Sequence, residues 1–341
     1  MLVSEIGEFG LIGLLTREFG IAYPPKRGVA HGDLRVGLGD DAVVAARRDG
    51  SVILTTDTLV AGVHFLPQRC RWVDVGWKAL AVNLSDVAAM GGTPHLALVT
   101  LCLPAEFKVE DAVELYRGLH ECAKAYNVTL GGGDIVRAPV FSITVALSGW
   151  AQLPHLGEAR VLTRDAARPG DVVAVSGTLG DSAGGVRLLQ LESKFRKRAE
   201  QRLREAQMRP QPRIALGHEA VEAGLRCGID VSDGLVQDLG HVATASGVGI
   251  RVDAVRVPTS EALREVFPSE AFGLAISGGE DYELLLIGPR AAVEALLDSS
   301  KTPLTEIGEV YEIDTPRVAV VDESGREIPL PRGGWDHFTS L

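Results

Sequence analysis

Aspartates recur along this chain at strand ends or tight turns, and each stands beside glycine, serine or threonine. Six such groups occur in order: Gly37-Leu38-Gly39-Asp40-Asp41, Thr55-Thr56-Asp57-Thr58, Asn83-Leu84-Ser85-Asp86, Gly131-Gly132-Gly133-Asp134, Asp230-Val231-Ser232-Asp233-Gly234 and Ser277-Gly278-Gly279-Glu280-Asp281. Carboxylate, hydroxyl and phosphate oxygens are the ligands that Mg²⁺ prefers, and glycine lets a phosphate approach the backbone closely. Because like charges repel, gathering these carboxylates without cations is costly. The pattern predicts a site where metal ions hold phosphate groups.

Each group also has a purely structural interpretation. Asp233 is placed to cap the N-terminus of the helix that follows it, and the pair Ser85-Asp86 can stabilise a helical turn. Asp134 and the pair Asp40-Asp41 are of a residue type that is common in turns. Convergence of the six groups in space is therefore an expectation that the tertiary structure has to meet.

Other nucleotide-binding signatures are missing from the sequence. There is no G-x-x-x-x-G-K-[ST] motif and no protein-kinase catalytic loop. The glycine-rich segment 176–185 leads from a strand into a helix, whose N-terminus could hold a phosphate, although glycine also simply makes the turn. A lone histidine is usually structural, but His64 closely follows the acidic group at Asp57, so a functional and a structural role both stay open for it. No Ser/His/Asp constellation is readable, so no covalent nucleophile is predicted.

Composition narrows the class of protein. The chain has 341 residues and a formal net charge of −11, which disfavours binding to nucleic acid but not to nucleotides. Its 46% hydrophobic content excludes general disorder. Four widely spaced cysteines predict neither a zinc site nor a disulfide framework, and no apolar run is long enough to span a bilayer. We therefore expect a cytoplasmic protein that does not use a membrane.

Strand and helix patterns alternate in both halves of the chain, which predicts two α/β domains, residues 1–150 and 151–341. Predicted strands are 34–44, 51–59, 95–103, 128–130, 140–147, 171–175, 229–231, 250–252, 282–287 and 318–321. Predicted helices are 1–20, 73–90, 109–126, 182–191, 213–223, 235–246 and 291–297. A turn is expected at Thr93-Pro94, and another at the Gly-Gly-Gly-Asp group. The strongly charged segment 194–209 is typical of a solvated helix or loop.

Several long motifs in order resemble the thiamine-monophosphate kinase family, within the superfamily of aminoimidazole-ribonucleotide synthetase. The most specific segments are Thr55-Thr56-Asp57-Thr58-Leu59-Val60-Ala61-Gly62-Val63-His64-Phe65, the stretch 78–91, Ser277-Gly278-Gly279-Glu280-Asp281-Tyr282-Glu283-Leu284, and Gly334-Trp335-Asp336-His337-Phe338. The resemblance implies a mixed α/β, two-domain aminoimidazole-ribonucleotide synthetase-like fold whose N-terminal domain pairs across a homodimer. It also implies Mg²⁺-dependent transfer of phosphate from ATP to thiamine monophosphate, the last step of thiamine diphosphate biosynthesis, in a cleft lined by both domains.

The resemblance further implies roles for individual residues. Ligands of metal ions or of metal-bound water would be Asp41, Thr55, Thr56, Asp57, Asp86, Asp134, Asp230 and Asp233. Contacts to ATP would be Tyr116, Gly133, Asp134, Arg164 and Ser232. Contacts to thiamine monophosphate would be His64, Glu280 and Trp335, where relatives often carry tyrosine, so that Trp335 keeps the aromatic face but lacks the hydroxyl. The thiazolium cation suits an acidic or aromatic neighbour.

Two kinds of alternative function remain open. A selenophosphate synthetase typically has a functional cysteine near its N-terminus, and a hydrogenase-maturation enzyme has one at its C-terminus. This chain has no cysteine before Cys70 and ends in Thr339-Ser340-Leu341. A non-catalytic nucleotide-binding protein of the same fold is the alternative from a different class, and the presence of all six acidic groups argues against it.

Overall fold

The computed structural model describes residues 5–6, 11, 14, 17–18, 34–36, 44–45, 52–151, 160–191 and 194–329. The chain divides into two compact units. The first comprises residues 1–84 and 94–150, and the second comprises 85–93 and 151–341. Within the predicted helix 1–20, the described residues are helical, and the rest of that prediction lies outside the described residues.

The first unit is built on a four-stranded sheet and two helices. Its strands are β3 (Val52–Val60), β4 (Thr93–Leu103), β5 (Thr129–Arg137) and β6 (Ser142–Trp150), in the order β3-β6-β4-β5. A separate two-stranded sheet joins β1 (Leu34–Val36) to β2 (Val44–Ala45). Strand β3 pairs with β6 antiparallel, and β4 pairs with β5 parallel. The outer strands β3 and β5 both carry candidate site residues.

Helices α1 (Trp72–Ala89) and α2 (Val109–Ala125) approach each other through glycine. A Cβ atom at Gly76 would lie 1.8 Å from the carbonyl oxygen of Leu115, and one at Gly118 would lie 1.8 Å from that of Val73. No side chain fits in either place, so the two backbones are in direct contact. This close packing fixes the first part of α1 within the first unit; Ser85 and Asp86, near the end of the same helix, belong to the second unit.

The second unit is a six-stranded mixed sheet with helices. Its strands are β7 (Val172–Ser176), β8 (Cys227–Asp230), β9 (Gly249–Asp253), β10 (Leu284–Gly288), β11 (Leu304–Tyr311) and β12 (Arg317–Val321), in the order β12-β9-β11-β7-β10-β8. Its helices are α3 (Asp181–Gln190), α4 (Arg198–Met208), α5 (Ile214–Glu222), α6 (Leu235–Ser246), α7 (Glu261–Val266), α8 (Ala271–Ser277) and α9 (Arg290–Ser299), with a 3₁₀ turn at Ala254–Arg256. The β9–β12 pair is parallel, whereas β7 and β10 pair antiparallel with their neighbours.

The central strands of this sheet are buried on both faces. Val173 and Val175 of β7 belong to one apolar core, and Val172 and Ala174 belong to another. Strand β10 divides its side chains between the same two cores. This arrangement explains why both strands are continuous apolar runs in the sequence rather than alternating ones.

The mixed α/β fold class is confirmed, but two local predictions are wrong. Thr93 and Pro94 are the first residues of β4 and not a turn, a position that proline tolerates at a strand end. The Gly-Gly-Gly-Asp group lies inside β5 and not between two strands. A Cβ atom at Gly133 would lie 1.7 Å from the carbonyl oxygen of Val99, so glycine serves close strand pairing there.

Other elements were not predicted from the sequence. Strand β11 and helices α7 and α8 carry no matching prediction, and the predicted strand 34–44 is two short strands, β1 and β2. In the described part of the chain, no helix combines the length and apolar character needed to cross a membrane. None of the four cysteines, all of which are described, forms a disulfide.

Candidate active site

A buried carboxylate marks the C-terminal end of β8 in the second unit. Asp230 is 2% exposed and accepts a hydrogen bond of 2.6 Å from the hydroxyl of Ser85, which is itself buried. Burial, together with the negative charge of Asp86, raises the pKa of Asp230 to about 7, against the opposing effects of the Ser85 hydrogen bond and the Arg164 charge. The structure therefore brings Asp86 and Asp230 together, and their charges repel.

A second buried carboxylate follows one turn into α6. Oδ2 of Asp238 accepts hydrogen bonds from the backbone N–H groups of Asp233 (3.1 Å) and Gly234 (3.0 Å) at the N-terminus of the helix. Burial, together with the charges of Asp230 and Asp233, raises the pKa of Asp238 to about 8. Asp238, which the sequence analysis missed, binds the N–H groups at the start of the helix, a role that the structural interpretation gave to Asp233. An acidic residue in the first turn of a predicted helix was the available signal.

The side chain of Asp233 is thereby left to other partners. Its Oδ2 accepts a hydrogen bond of 3.1 Å from the side-chain amide of Gln237. Asp233, Asp238 and His241 each offer one possible ligand atom, and these atoms lie within 4.8 Å of one another. The end of β8 and the start of α6 thus form an acidic cluster, which we define as Asp86, Asp230, Asp233 and Asp238.

The loop 278–283 is fixed against the segment that follows β8. The backbone N–H of Glu280 donates to the carbonyl of Ser232 (2.7 Å), and that of Tyr282 donates to the carbonyl of Val231 (2.9 Å). Glu280 and Tyr282 both adopt positive φ angles, 67° and 52°, which are costly for non-glycine residues. A Cβ atom at Gly279 would lie 2.5 Å from the Ser232 oxygen, so only glycine permits this approach. The backbones of Glu280 and Ser232, two candidate binding residues, are in direct contact.

The glycine-rich turn before α3 is occupied by a side chain of the protein itself. The carboxylate of Asp281 accepts hydrogen bonds from the backbone N–H groups of Gly180 (2.6 Å) and Ser182 (3.1 Å). Burial raises the pKa of Asp281 well above its ordinary value, and these two hydrogen bonds oppose that rise. The sequence left open a phosphate at this N-terminus, and the structure places Asp281 there instead.

Glu283, two residues further on, anchors the same loop. Glu283 is buried, and its carboxylate accepts two hydrogen bonds from Arg213, from Nε at 2.7 Å and from Nη2 at 2.5 Å. The hydroxyl of Ser176 also donates to it, and the backbone N–H of Leu284 donates to that hydroxyl at 2.8 Å. This ion pair was not predicted from the sequence.

The first unit holds the other described candidate metal ligands, on two different strands. Thr55 and Asp57 lie on the same face of β3 as the buried Ile53 and Leu59, and Thr56 is exposed on the other face. Asp134 is exposed on β5, and its Oδ1 accepts a hydrogen bond of 2.9 Å from the backbone N–H of Ile135. Strands β6 and β4 lie between β3 and β5. Three strand spacings place Asp57 and Asp134 about 14 Å apart across the sheet, so the structure does not bring them together within one chain.

Three candidate binding residues lie elsewhere in the described chain. Nδ1 of His64 accepts a hydrogen bond of 3.0 Å from the backbone N–H of Val60, which closes the turn after β3. Tyr116 lies on α2, where burial raises the pKa of its phenol to about 12. Arg164 is exposed in the second unit. Asp41 and Trp335 lie outside the described residues.

Comparisons with known proteins agree along the chain. The AIR synthase related protein, N-terminal domain, matches residues 39–151, and the corresponding C-terminal domain matches residues 168–321. Thiamine-monophosphate kinase of Escherichia coli O157:H7 is 39% identical over 317 residues, which cover 90% of this chain and 93% of that protein. The crystal structure of thiamine-monophosphate kinase from Stenotrophomonas maltophilia K279a has a TM-score of 0.79 at 37% identity, and covers 95% of this chain and 98% of that one. The structure of AaThiL complexed with AMPPCP and TMP has a TM-score of 0.75 at 34% identity, and covers 99% of both chains.

Proposed function

The chain belongs to the thiamine-monophosphate kinase family of AIR synthase related proteins, and we propose that it transfers the γ-phosphoryl group of ATP to thiamine monophosphate. The products are ADP and thiamine diphosphate. The observation that carries this proposal is the similarity to named kinases of this specificity over nearly the whole chain.

The acidic cluster of the second unit suits divalent cations such as Mg²⁺. Asp230 and Asp238 are buried, and besides this burial the charges of neighbouring aspartates raise the pKa of each. Oxygen ligands of this kind are those that Mg²⁺ prefers. Within the second unit we assign Asp86, Asp230 and Asp233 to hold the ions; the metal ligands that the resemblance implies in the first unit remain part of the proposal. When bound, Mg²⁺ would supply charge neutralisation to the phosphates and align them.

Different candidate residues suit the two substrates. Arg164 offers a planar guanidinium fork that suits a phosphate of ATP, and its charge already acts on Asp230. Glu280 offers a carboxylate to the thiazolium or aminopyrimidine of the acceptor. The backbone hydrogen bond from Glu280 to Ser232 keeps the loop 278–283, which we call the acceptor loop, beside the segment that carries Asp230 and Asp233. No residue of the chain has to form a covalent intermediate.

A coupled assay of ADP release tests the function. We expect ADP formation with ATP, Mg²⁺ and thiamine monophosphate, and only background with thiamine or with no acceptor. Chromatography should show thiamine diphosphate in equal amount. ATP hydrolysis that does not depend on the monophosphate would contradict the proposal, and so would a complete lack of turnover by the folded protein.

Direct transfer is tested by stereochemistry. A single in-line displacement inverts a chirally labelled γ-phosphate, whereas two successive displacements through a phosphoenzyme retain its configuration. We expect inversion in the thiamine diphosphate. Retention, or label that stays on the protein when the monophosphate is withheld, would show that a side chain is phosphorylated.

We also propose a homodimer formed through the first unit. The sheet exposes apolar side chains on three of its four strands: Val52 is 51% exposed, Leu54 is 76%, Leu98 is 38% and Val136 is 41%. Exposed apolar patches mark protein interfaces, and a second copy of the chain would cover these residues.

Sedimentation tests the assembly. We expect a dimer at micromolar concentration, and a shift to monomer in Leu54→Asp. The matched control is Leu191→Asp, because Leu191 is 63% exposed but belongs to the second unit. A monomeric wild type, or equal effects of the two substitutions, would contradict this interface.

A cytoplasmic location fits the same function. The four cysteines form no disulfide, as is usual for proteins of a reducing compartment. Fractionation of the source cells, with the activity recovered in the cytosolic fraction, is the expected result.

A further inference from the structure

Helix α4 lies within the charged segment 194–209, and its buried residue Gln207 contacts the acceptor loop. Gln207 is a polar residue on the buried face of α4, where it is 3% exposed and lies beside Leu203 and Met208. Its Nε2 donates a hydrogen bond of 2.8 Å to Oε2 of Glu280. Its Oε1 accepts a hydrogen bond from the hydroxyl of Ser182, a fully buried residue in the first turn of α3.

The chemistry of the partners fixes which atom donates in each of the two hydrogen bonds of Gln207. A carboxylate only accepts hydrogen bonds, so the amide must turn its N–H group towards Glu280. Its oxygen is then left for the Ser182 hydroxyl, which donates. Ser182 also donates its backbone N–H to Asp281. Two consecutive loop residues, Glu280 and Asp281, are thereby tied to the same turn of α3, one through Gln207 and one directly.

The hydrogen bond from Gln207 fixes the side chain of Glu280, whereas other hydrogen bonds already fix the backbone of the loop. Backbone hydrogen bonds to Ser232 and Val231 already hold the loop, with Glu280 at a φ of 67°. A glutamate side chain retains three rotatable bonds, and fixing them costs entropy at the moment of binding unless they are held beforehand. A charge-assisted hydrogen bond from a buried donor holds the carboxylate in one place.

We propose that Gln207 is a positioning residue for acceptor binding: it orients the carboxylate of Glu280 towards the cationic part of thiamine monophosphate. The proposal rests on the proposed function, since it names the acceptor as the ligand of Glu280. It also gives the charged segment 194–209 a role beyond that of a solvated helix.

Two substitutions separate positioning from structural support. Gln207→Glu keeps the acceptor for Ser182 and the size of the side chain, but it replaces the donor facing Glu280 with a second carboxylate. Gln207→Met removes both hydrogen bonds at similar volume. We expect each to raise the KM for thiamine monophosphate about tenfold or more, with the KM for ATP within twofold of wild type. Gln201→Met is the control, because Gln201 is exposed on the same helix and donates to the carbonyl of Phe195.

A double-mutant comparison tests that the effect passes through Glu280. In a Glu280→Ala background, adding Gln207→Met should change the KM for the monophosphate by less than twofold. A further tenfold loss in that background would overturn the proposal, and so would an unchanged KM in both single variants. Crystal structures provide a readout besides activity: the Glu280 carboxylate should leave its wild-type position in Gln207→Glu, and an unmoved carboxylate also overturns the proposal. A wild type that does not phosphorylate the monophosphate would refute the proposed function instead, while the structures still decide the role of Gln207.

Discussion

Removing Arg213 should destabilise the second unit strongly, because it leaves a buried charge without its partner. Arg213 holds Glu283 by two hydrogen bonds, and the two side chains are 27% and 9% exposed. Breaking a fully buried pair costs about 3–5 kcal/mol. Because Arg213 retains some contact with water, we expect Arg213→Met to cost about 2–3 kcal/mol, which corresponds to a fall in Tm of roughly 5–10 °C for a unit of this size.

An exposed ion pair provides the matched control. Arg290 lies 2.8 Å from Glu306, at a distance similar to that in the buried pair, but these side chains are 52% and 20% exposed. Solvent screening limits such pairs to about 1 kcal/mol or less, so Arg290→Met should lower Tm by no more than about 3 °C. The measurement is thermal unfolding by calorimetry, supported by urea unfolding followed by circular dichroism. Equal shifts in the two variants would refute the reasoning that burial, and not distance, sets the cost.

Three further outcomes are expected. Gly133→Ala should lower Tm by several degrees, because the new Cβ would lie 1.7 Å from the carbonyl oxygen of Val99. Its control, Gly240→Ala, should leave Tm unchanged or raise it slightly, because nothing lies within 4 Å of a Cβ at that position of α6. Burial raises the pKa of Tyr116 to about 12, so the stability linked to this phenol is fully present below pH 10, its unfolded pKa, and is lost as the pH rises towards 12. Tyr116→Phe should therefore show a smaller fall in Tm between pH 10 and pH 12 than wild type, and parallel pH profiles would contradict this. Asp86→Asn should sharply lower turnover while the protein still folds. The control is Asp298→Asn, because Asp298 is exposed on α9. Near-normal turnover of Asp86→Asn at saturating Mg²⁺ would show that Asp86 does not bind or position the metal.

Elements with local signals were predictable from the sequence. Helix α6 begins and ends where predicted, because Gly234 precedes it and Gly247 ends it in a left-handed conformation with φ at 69°. Strand β3 and helices α1 and α2 were placed within one residue at each end, since apolar periodicity is itself a local property. Strand β11 was missed, because its apolar residues become recognisable only when β7 and β9 pair with it on either side.

By itself, the sequence determined the family, the mixed α/β class and the chemical types available for the site, because motifs and periodicity are read from neighbours along the chain. Only the tertiary structure decided which of these residues meet. It brought Asp86 to Asp230 from positions far apart in sequence, filled the glycine-rich turn with Asp281, and linked Gln207 to Glu280. It also kept Asp57 and Asp134 on opposite outer strands. These outcomes depend on strand order, on burial and on competition for backbone N–H groups, which are properties of distant segments packed together and not of any one segment.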